Sequence, residues 1–322
     1  MPGSFCQKIS LFFFLSCIAV LPMSGQSFRL DTTLYVPKEA GLHTISGIDF
    51  IPAAGVMQLV GDRGEQWRVA DLTRYNQAIR GTNTGLQLES LRYDAASHTY
   101  FGTVEGTNAE GSYAFFCRDS LPRTGDRTRL TEFERISPLP FDNKGIEGLA
   151  LGTDSTVWLA PEAGWTPADS SQSTVLFYRY HWSGTSLSGK TIFVYPRDRM
   201  PQLTSTERYG GISELLWAGR NRLLVLERFY DSKRDSSFAK LYEVTFAEGT
   251  PTVAPAKTLV FDFNTMLNGN RIDNLEGMAW MPTQQGRRVL VIISDDNGGV
   301  CPRPNGKKCQ QTQLIYLSRN TP

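Results

Sequence analysis

The apolar residues of this chain fall in short runs, alternating or continuous, separated by clusters of Gly, Asn, Asp, Ser and Pro. Such runs predict β-strands joined by turns, and no stretch carries the spacing of a long amphipathic helix. Five runs share one pattern, a small or acidic residue that opens alternating apolar positions: "TISGIDFIP" (44–52), "LQLESLRYD" (86–94), "KGIEGLALG" (144–152), "GGISELLWA" (210–218) and "NLEGMAWMP" (274–282). Aligned on Ser46, Glu89, Glu147, Ser213 and Glu276, the copies are 43, 58, 66 and 63 residues apart, which leaves room for several strands in each. A second β-rich run follows every anchor after a turn: "GVMQLVGD", "HTYFGTVE", "STVWLAPE", "NRLLVLER" and "RRVLVIISDD". The third copy continues with "TVLFYRYHW" and "KTIFVYP" as third and fourth strands. Four strands per repeat at such a period predict an all-β fold, a β-propeller, because one repeat cannot bury both faces of its sheet alone.

The two ends of the chain complete the count. The fifth copy shows three strands, the last being "TQLIYLS" (312–318), and lacks a fourth. "FRLDTTLYV" (28–36) precedes the first copy and can supply it, so that no sheet edge is left open. The expectation is five blades closed by an N-terminal strand, with six as the alternative if an irregular blade is hidden.

Propeller topology then says where chemistry gathers. The start of each first strand and the end of each second strand meet at one mouth of the central channel. The first set is Ser46, Glu89, Glu147, Ser213 and Glu276; the second is Asp62, Glu105, Glu162, Glu227 and Asp295. Eight of these ten positions are carboxylates, and they cannot all stay ionised and unpaired in a partly desolvated funnel. Each needs a cation, a basic neighbour or a raised pKa. Arg63, Lys144, Arg208, Arg228 and Arg271 lie close in sequence. Hard oxygen donors without a His or thiolate set favour Ca²⁺ or Mg²⁺ over zinc. The expected ligands are Glu147, Glu162, Glu276 and Asp295, followed by Glu227 and Glu105. The plainer reading is a ring of salt bridges that pins blade to blade.

Charge narrows the partners. The formal net charge is +1 and falls to 0 without Lys8, so no basic surplus exists to hold a nucleic acid backbone. Lys8 precedes the apolar run "ISLFFFLSCIAVL" (9–21), followed by Pro22 and the small residues Ser24 and Gly25. This is the layout of a secretory signal over residues 1–25, too short for a comfortable membrane span. A lipoprotein signal at Cys17 is disfavoured by Phe14. Residues 26–322 then form one exported domain, expected to be monomeric, periplasmic or extracellular, with no membrane span. Of the cysteines left, Cys301 and Cys309 bracket the turn-rich "PRPNGKK" and are expected to pair in an oxidising compartment, free thiols being the alternative. Cys117, in the alternating "SYAFFCR", reads as a buried structural thiol.

Serine-esterase chemistry finds little support. No G-x-S-x-G elbow occurs, and the only histidines are His43, His98 and His181. A Ser46–His43 pair near the mouth is conceivable. His98 reads as surface, and His181, beside Trp182, as packing at a blade edge. Trp67, Trp158, Trp217 and Trp280 fall in strand runs and read as packing between blades.

The segments "KGIEGLAL", "APEAG", "RYGGISEL", "LLVLER", "NLEGMAW" and "VLVIISDDN", with "QQTQLIYL", resemble the phytase-like secreted family described as having esterase-like activity, over roughly residues 40–318. A looser similarity connects this group to the alkaline β-propeller phytases, six-bladed proteins that bind phosphate through Ca²⁺ in an acidic funnel. The resemblance implies a calcium-dependent phosphomonoesterase or esterase acting on a small organic phosphate. In that chemistry carboxylates hold the metal, while Lys144, Arg208, Arg228 and Arg271 bind phosphate oxygens. The alternative is a non-catalytic propeller whose acidic mouth binds a ligand or protein partner.

Overall fold

The computed structural model describes residues 27–320 except 108, 138, 140–143, 164–172, 201–209, 249–252, 267–270 and 284–285. The signal segment expected over 1–25 lies outside the described residues. Among the described residues no helix is long and apolar enough to cross a membrane.

The chain opens with strand β1 (Phe28–Tyr35) and then builds four sheets in sequence order. Blade 1 holds β2 (Ile45–Ile51), β3 (Val56–Gly61), β4 (Gln66–Val69) and β5 (Ile79–Arg80); blade 2 holds β6 (Leu88–Asp94), β7 (Thr99–Glu105), β8 (Ser112–Arg118) and β9 (Thr131–Ile136). Blade 3 holds β10 (Ile146–Leu151), β11 (Thr156–Pro161), β12 (Thr174–Trp182) and β13 (Leu187–Pro196). Blade 4 holds β14 (Gly211–Gly219), β15 (Arg222–Asp231), β16 (Ser236–Thr245) and β17 (Ala256–Asp262). Blade 5 takes β18 (Asn274–Pro282), β19 (Arg288–Asp295) and β20 (Gln313–Arg319), and β1 completes it, antiparallel to β20 from Phe28↔Arg319 to Tyr35↔Gln313. The inner strands close a ring: β2 packs on β6, β6 on β10, β10 on β14, β14 on β18, and β18 back on β2. This is the expected five-bladed β-propeller.

The core is divided among the interfaces between blades. In β15, Leu223 and Val225 pack toward blade 3, whereas Leu224 and Leu226 pack toward blade 5. In β19, Leu290 and Ile292 face blade 4, and Val291 and Ile293 face blade 1. Both faces are buried, which is why these strands read as continuous apolar runs rather than alternating ones. Trp67 and Trp158 lie buried within these interfaces, with Trp217 and Trp280 partly buried at the edge. Cys117 is free and buried, and Cys301 is joined to Cys309 with their Cα atoms 5.2 Å apart.

One irregularity is repeated five times. The pairing of each inner strand with its neighbour slips between Ile45 and Gly47, Leu88 and Ser90, Ile146 and Gly148, Ile212 and Glu214, and Leu275 and Gly277. The residue left unpaired at each β-bulge is Ser46, Glu89, Glu147, Ser213 or Glu276. The sequence repeat is therefore a repeated bulge, a device that re-aims one side chain out of the ladder. Behind the anchors the strands come so close that small residues are required. A Cβ on Gly148 would stand 2.7 Å from the Leu215 side chain of blade 4, and one on Gly277 3.0 Å from the Ser46 carbonyl of blade 1.

Because β1 alone covers the outer edge of β20, deletion of residues 26–37 is expected to lower the melting temperature sharply or prevent soluble folding. Thermal denaturation followed by circular dichroism checks this, and an unchanged melting curve would refute the two-ended closure.

Candidate functional site

Strand register decides which side chains share the mouth. The residue opposite the position two before each bulge is Asp62 in blade 1, Glu105 in blade 2, Glu162 in blade 3 and Asp295 in blade 5, with backbone bonds or pairings to Thr44, Gln87, Gly145 and Asn274. In blade 4 the residue opposite Gly211 is Arg228, not Glu227. An arginine thus stands where the other four blades place a carboxylate.

Arg228 organises one side of the cup. Its guanidinium pairs with Glu276, bonds Asn274, and reaches Glu162 at 3.4 Å. Lys144 lies 3.7 Å from Glu162. The carboxylates Glu276, Glu162 and Glu147 hold the Arg228 pKa above its ordinary value against the desolvation that would lower it.

Among the described residues the opposite side has no such cation. Glu147 is buried and Glu89 half-buried, and neither accepts a hydrogen bond from a described residue. Desolvation raises both pKa values well above the ordinary carboxyl range, and the mutual repulsion of Glu89, Glu105, Glu147 and Glu276 adds to it. Burial likewise pushes Glu276 to about 8, with Arg228 opposing, and Asp295 to about 7. The buried Ser213 hydroxyl, at the bulge of blade 4, has no partner among the described residues. Glu105 is different: its Oε1 accepts from the Gly145 amide at 2.8 Å and so links blade 2 to blade 3.

The floor of the cup is sealed. Glu214 follows the Ser213 bulge and Arg92 follows the Glu89 bulge by three residues; their side chains meet at 3.0 Å, both buried. Glu214 also accepts from Ser90 (2.9 Å) and from the amides of Leu149 (3.1 Å) and Leu215 (2.8 Å). Arg92 donates to the carbonyls of Ile48 (3.1 Å), Leu91 (2.6 Å) and Leu215. Blades 2 and 4 are not neighbours, so this pair can meet only across the axis. Burial raises the Glu214 pKa to about 7 despite Arg92 and these donors. Half-buried Asp49, near Arg92, accepts from the Tyr93 amide at 2.8 Å, and desolvation raises it to about 6 against that attraction. The sequence carried a signal for the pair: Glu214 occupies the repeat position that is Gly47, Ser90, Gly148 and Gly277 elsewhere.

Several expected site residues are placed differently. Glu227, expected as a metal ligand, points away from the cup because adjacent residues of a strand face opposite sides and Arg228 takes the inner one. It is buried against Tyr195 Oη (2.5 Å), Lys257 Nζ (2.5 Å) and the Asp198 amide (2.8 Å) between blades 3 and 4. Arg228, expected to bind phosphate, is engaged by carboxylates. Arg271 pairs with Asp273 at 3.3 Å and bonds the Cys309 carbonyl at 3.4 Å. Arg208 lies outside the described residues. His98 is on the surface, bonded to Tyr93; His181 is exposed rather than packed, between the buried Tyr180 and Trp182. His43 bonds Asp296, not Ser46. Among the described residues no three His, Cys, Asp or Glu side chains stand as a ready metal cage.

Two variants probe this arrangement. Arg228→Gln leaves Glu162 and Glu276 facing each other without their cation and is expected to destabilise the fold by about 3–5 kcal/mol, read from denaturant unfolding at neutral pH. The second concerns pH. Asp295 and Glu276 bind protons in the folded chain up to about pH 7 and 8, against ordinary values of 3.8 and 4.5. Between those limits the folded state holds more protons than the unfolded one, so the stability they contribute is complete below the ordinary values and is lost as the pH rises through the raised ones. Asp94 and Asp198, whose pKa values are lowered, act in the opposite sense only on acidification below their ordinary value of 3.8. In chelator, melting temperature is therefore expected to fall from weakly acidic to weakly alkaline pH. Glu147→Gln, which removes one of the crowded carboxylates, should flatten that decline and melt higher than the parent at alkaline pH.

Among solved structures, the chain is similar to an endo-arabinase from Bacteroides thetaiotaomicron, with a TM-score of 0.52, 10% identity, and coverage of 88% of this chain and 96% of that one. It is similar too to an endo-1,4-beta-xylanase from the same organism, with a TM-score of 0.50, 8% identity, and coverage of 86% and 95%. At such identities the likeness is one of fold. No curated protein matches in sequence. The phytase-like family model, described as esterase-like activity of phytase, matches residues 40–298, most of the chain and all five bulges. The chain belongs to the phytase-like family.

Proposed function

We propose that this protein is an exported ester hydrolase whose acidic cup takes up a hard divalent cation, Ca²⁺ first, and acts on a small organic phosphate. The observation that carries the reading is the side of the cup that lacks partners among the described residues: two carboxyls, Glu89 and Glu147, close enough to repel each other, and the Ser213 hydroxyl at the neighbouring bulge. These are oxygen donors of the kind Ca²⁺ takes, and buried charge of one sign calls for a counter-charge. The donors fit in kind rather than as a finished cage, so uptake would draw Glu89 and Glu147 together, with Glu105 and Asp295 at the flanks. Of the four first expected, Glu162 and Glu276 are already engaged by Arg228, and Glu162 by Lys144 as well. A cation bound there supplies charge for the phosphoryl oxygens and lowers the pKa of a bound water. Lys144, at the Glu162 side, adds a point charge for the anion. The Arg92–Glu214 floor keeps the cup a dead end, so substrate enters and leaves by one mouth. The Cys301–Cys309 bridge supports export, since disulfides persist in oxidising compartments.

The test is thermal and catalytic together. Ca²⁺ should raise the melting temperature and a chelator lower it, because unfolded chain cannot assemble the site. The loaded protein should hydrolyse p-nitrophenyl phosphate or phytate, and Glu147→Gln should blunt both responses. Indifference of the melting curve to Ca²⁺ and chelator, with no hydrolysis, would favour the non-catalytic cup that binds a ligand or partner.

A further inference from the structure

The rim between blades 5 and 1 holds a polar pair that cation binding leaves unused. Asp296 follows Asp295 directly, and His43 stands three residues before Ser46, next to Thr44, whose carbonyl accepts from the Asp62 amide at 3.1 Å. His43 Nδ1 is 2.6 Å from Asp296 Oδ2. The other oxygen, Oδ1, accepts from the amides of Thr44 (3.1 Å) and Gly298 (3.0 Å), and the carboxylate is 3% exposed. A carboxylate that only accepts makes Nδ1 the donor and leaves the lone pair on Nε2. Nε2 has no partner among the described residues, and the side chain is 32% exposed.

The loop behind this pair is shaped to hold it. Asn297, Gly298 and Gly299 follow one another in left-handed conformation, at φ 52°, 77° and 63°. A Cβ on Gly299 would stand 3.1 Å from the His43 ring, so glycine allows the imidazole to lie against the backbone. The charged groups around His43 are Asp296, Lys38 (bonded to the Gly299 carbonyl), Arg63 (against Gly298) and Asp62 beneath Thr44. Arg63 forms no salt bridge with a described carboxylate, though the carboxyl of Asp62 beside it feels its charge, and its side chain is exposed.

We propose that His43, oriented by Asp296, is the proton-transfer residue of the cup, with Arg63 receiving the anionic end of the substrate; the inference rests on the hydrolase reading. In the step, the oxygen of a water forms a bond to the ester phosphorus while one of its protons passes to Nε2. The bond from phosphorus to the alcohol oxygen breaks on the opposite face, the departing oxygen takes a proton from solvent, and Nε2 returns its own to solvent. Water is consumed, phosphate and alcohol are released, and the imidazole returns to its starting form. A buried acid that fixes the tautomer of a partly exposed His is the arrangement general base catalysis requires.

The experiment measures hydrolysis of p-nitrophenyl phosphate in Ca²⁺ by the full chain, His43→Gln, His43→Ala and Asp296→Asn. His43→Gln is expected to lower kcat roughly 10²- to 10⁴-fold with KM and the melting temperature nearly unchanged. Added imidazole should restore part of the activity of His43→Ala, which a purely structural role would not permit. Asp296→Asn offers an amide donor to Nδ1, reverses the tautomer and should lower kcat with His43 still present. On the parent protein, carbethoxylation mapped by mass spectrometry should show activity lost in step with His43 and not with His98 or His181, a readout that holds even if a variant fails to fold. A His43→Gln enzyme as active as the parent, or a parent modified at His43 and still active, would overturn the inference and leave the hydrolase reading standing. A parent that hydrolyses no phosphate ester would overturn both.

Discussion

Five inner strands converge on one axis, and the buried Arg92–Glu214 ion pair is what fits between them. Neighbouring blades are held by apolar contact, but no apolar cluster of the described residues joins blade 2 to blade 4. Two charges taken out of water are costly unless geometry and hydrogen bonds compensate them. Here compensation is nearly complete, since Glu214 accepts from a hydroxyl and two amides and Arg92 donates to three carbonyls. Those partners lie on blades 1, 2, 3 and 4, so satisfying the pair fixes four inner strands relative to one another. The small residues at the equivalent positions of the other blades are the counterpart of this occupancy. A second side chain of that size would have no place to go.

The site follows from the same inner strands by a single local device. Each bulge turns one residue toward the mouth, and the second strand delivers another opposite it. Fivefold use of one irregularity would give a uniform acidic ring. The ring is not uniform, because blade 4 contributes Ser213 and Arg228 where the other blades contribute mostly acids. That asymmetry splits the cup into a neutralised side around Glu162 and Glu276 and an uncompensated side around Glu89 and Glu147. The chemistry of the cup is therefore set by how one blade departs from the other four.

Much of this was legible in the chain. The strand pattern, the repeat and the incomplete fifth copy depend on hydrophobic period and turn residues, which are local, and the two-ended closure follows from them. The acidic mouth was legible for a similar reason, since topology alone brings strand starts and ends together. Assignment by single residue failed at Glu227 and Arg228, adjacent in "LER". A shift of one residue moves a side chain to the other face of its strand, and the slip at Ser213 settles which of the two faces inward. Glu89 opens a repeat, but that it stands without a basic partner among the described residues could not be read from the chain, because pairing is a property of packing. The link of His43 to Asp296 spans 253 positions and has no local signature.

The pairing of β1 with β20 has a consequence for the order of events when the chain is made. The first strand to emerge must wait for the last, because the outer edge of blade 5 is formed by the two extremes of the described chain. The contact of β18 with β2, and with it the rim that joins His43 to Asp296, is likewise of the longest range the fold contains. Such contacts carry the largest loop-closure entropy and form late. A nascent chain can assemble blades 1 to 4 in turn, each resting on the one before, but it has no complete mouth until β18 and β19 deliver Glu276 and Asp295. A fragment that stops short of residue 313 keeps those two strands and leaves β1 without the strand it pairs with.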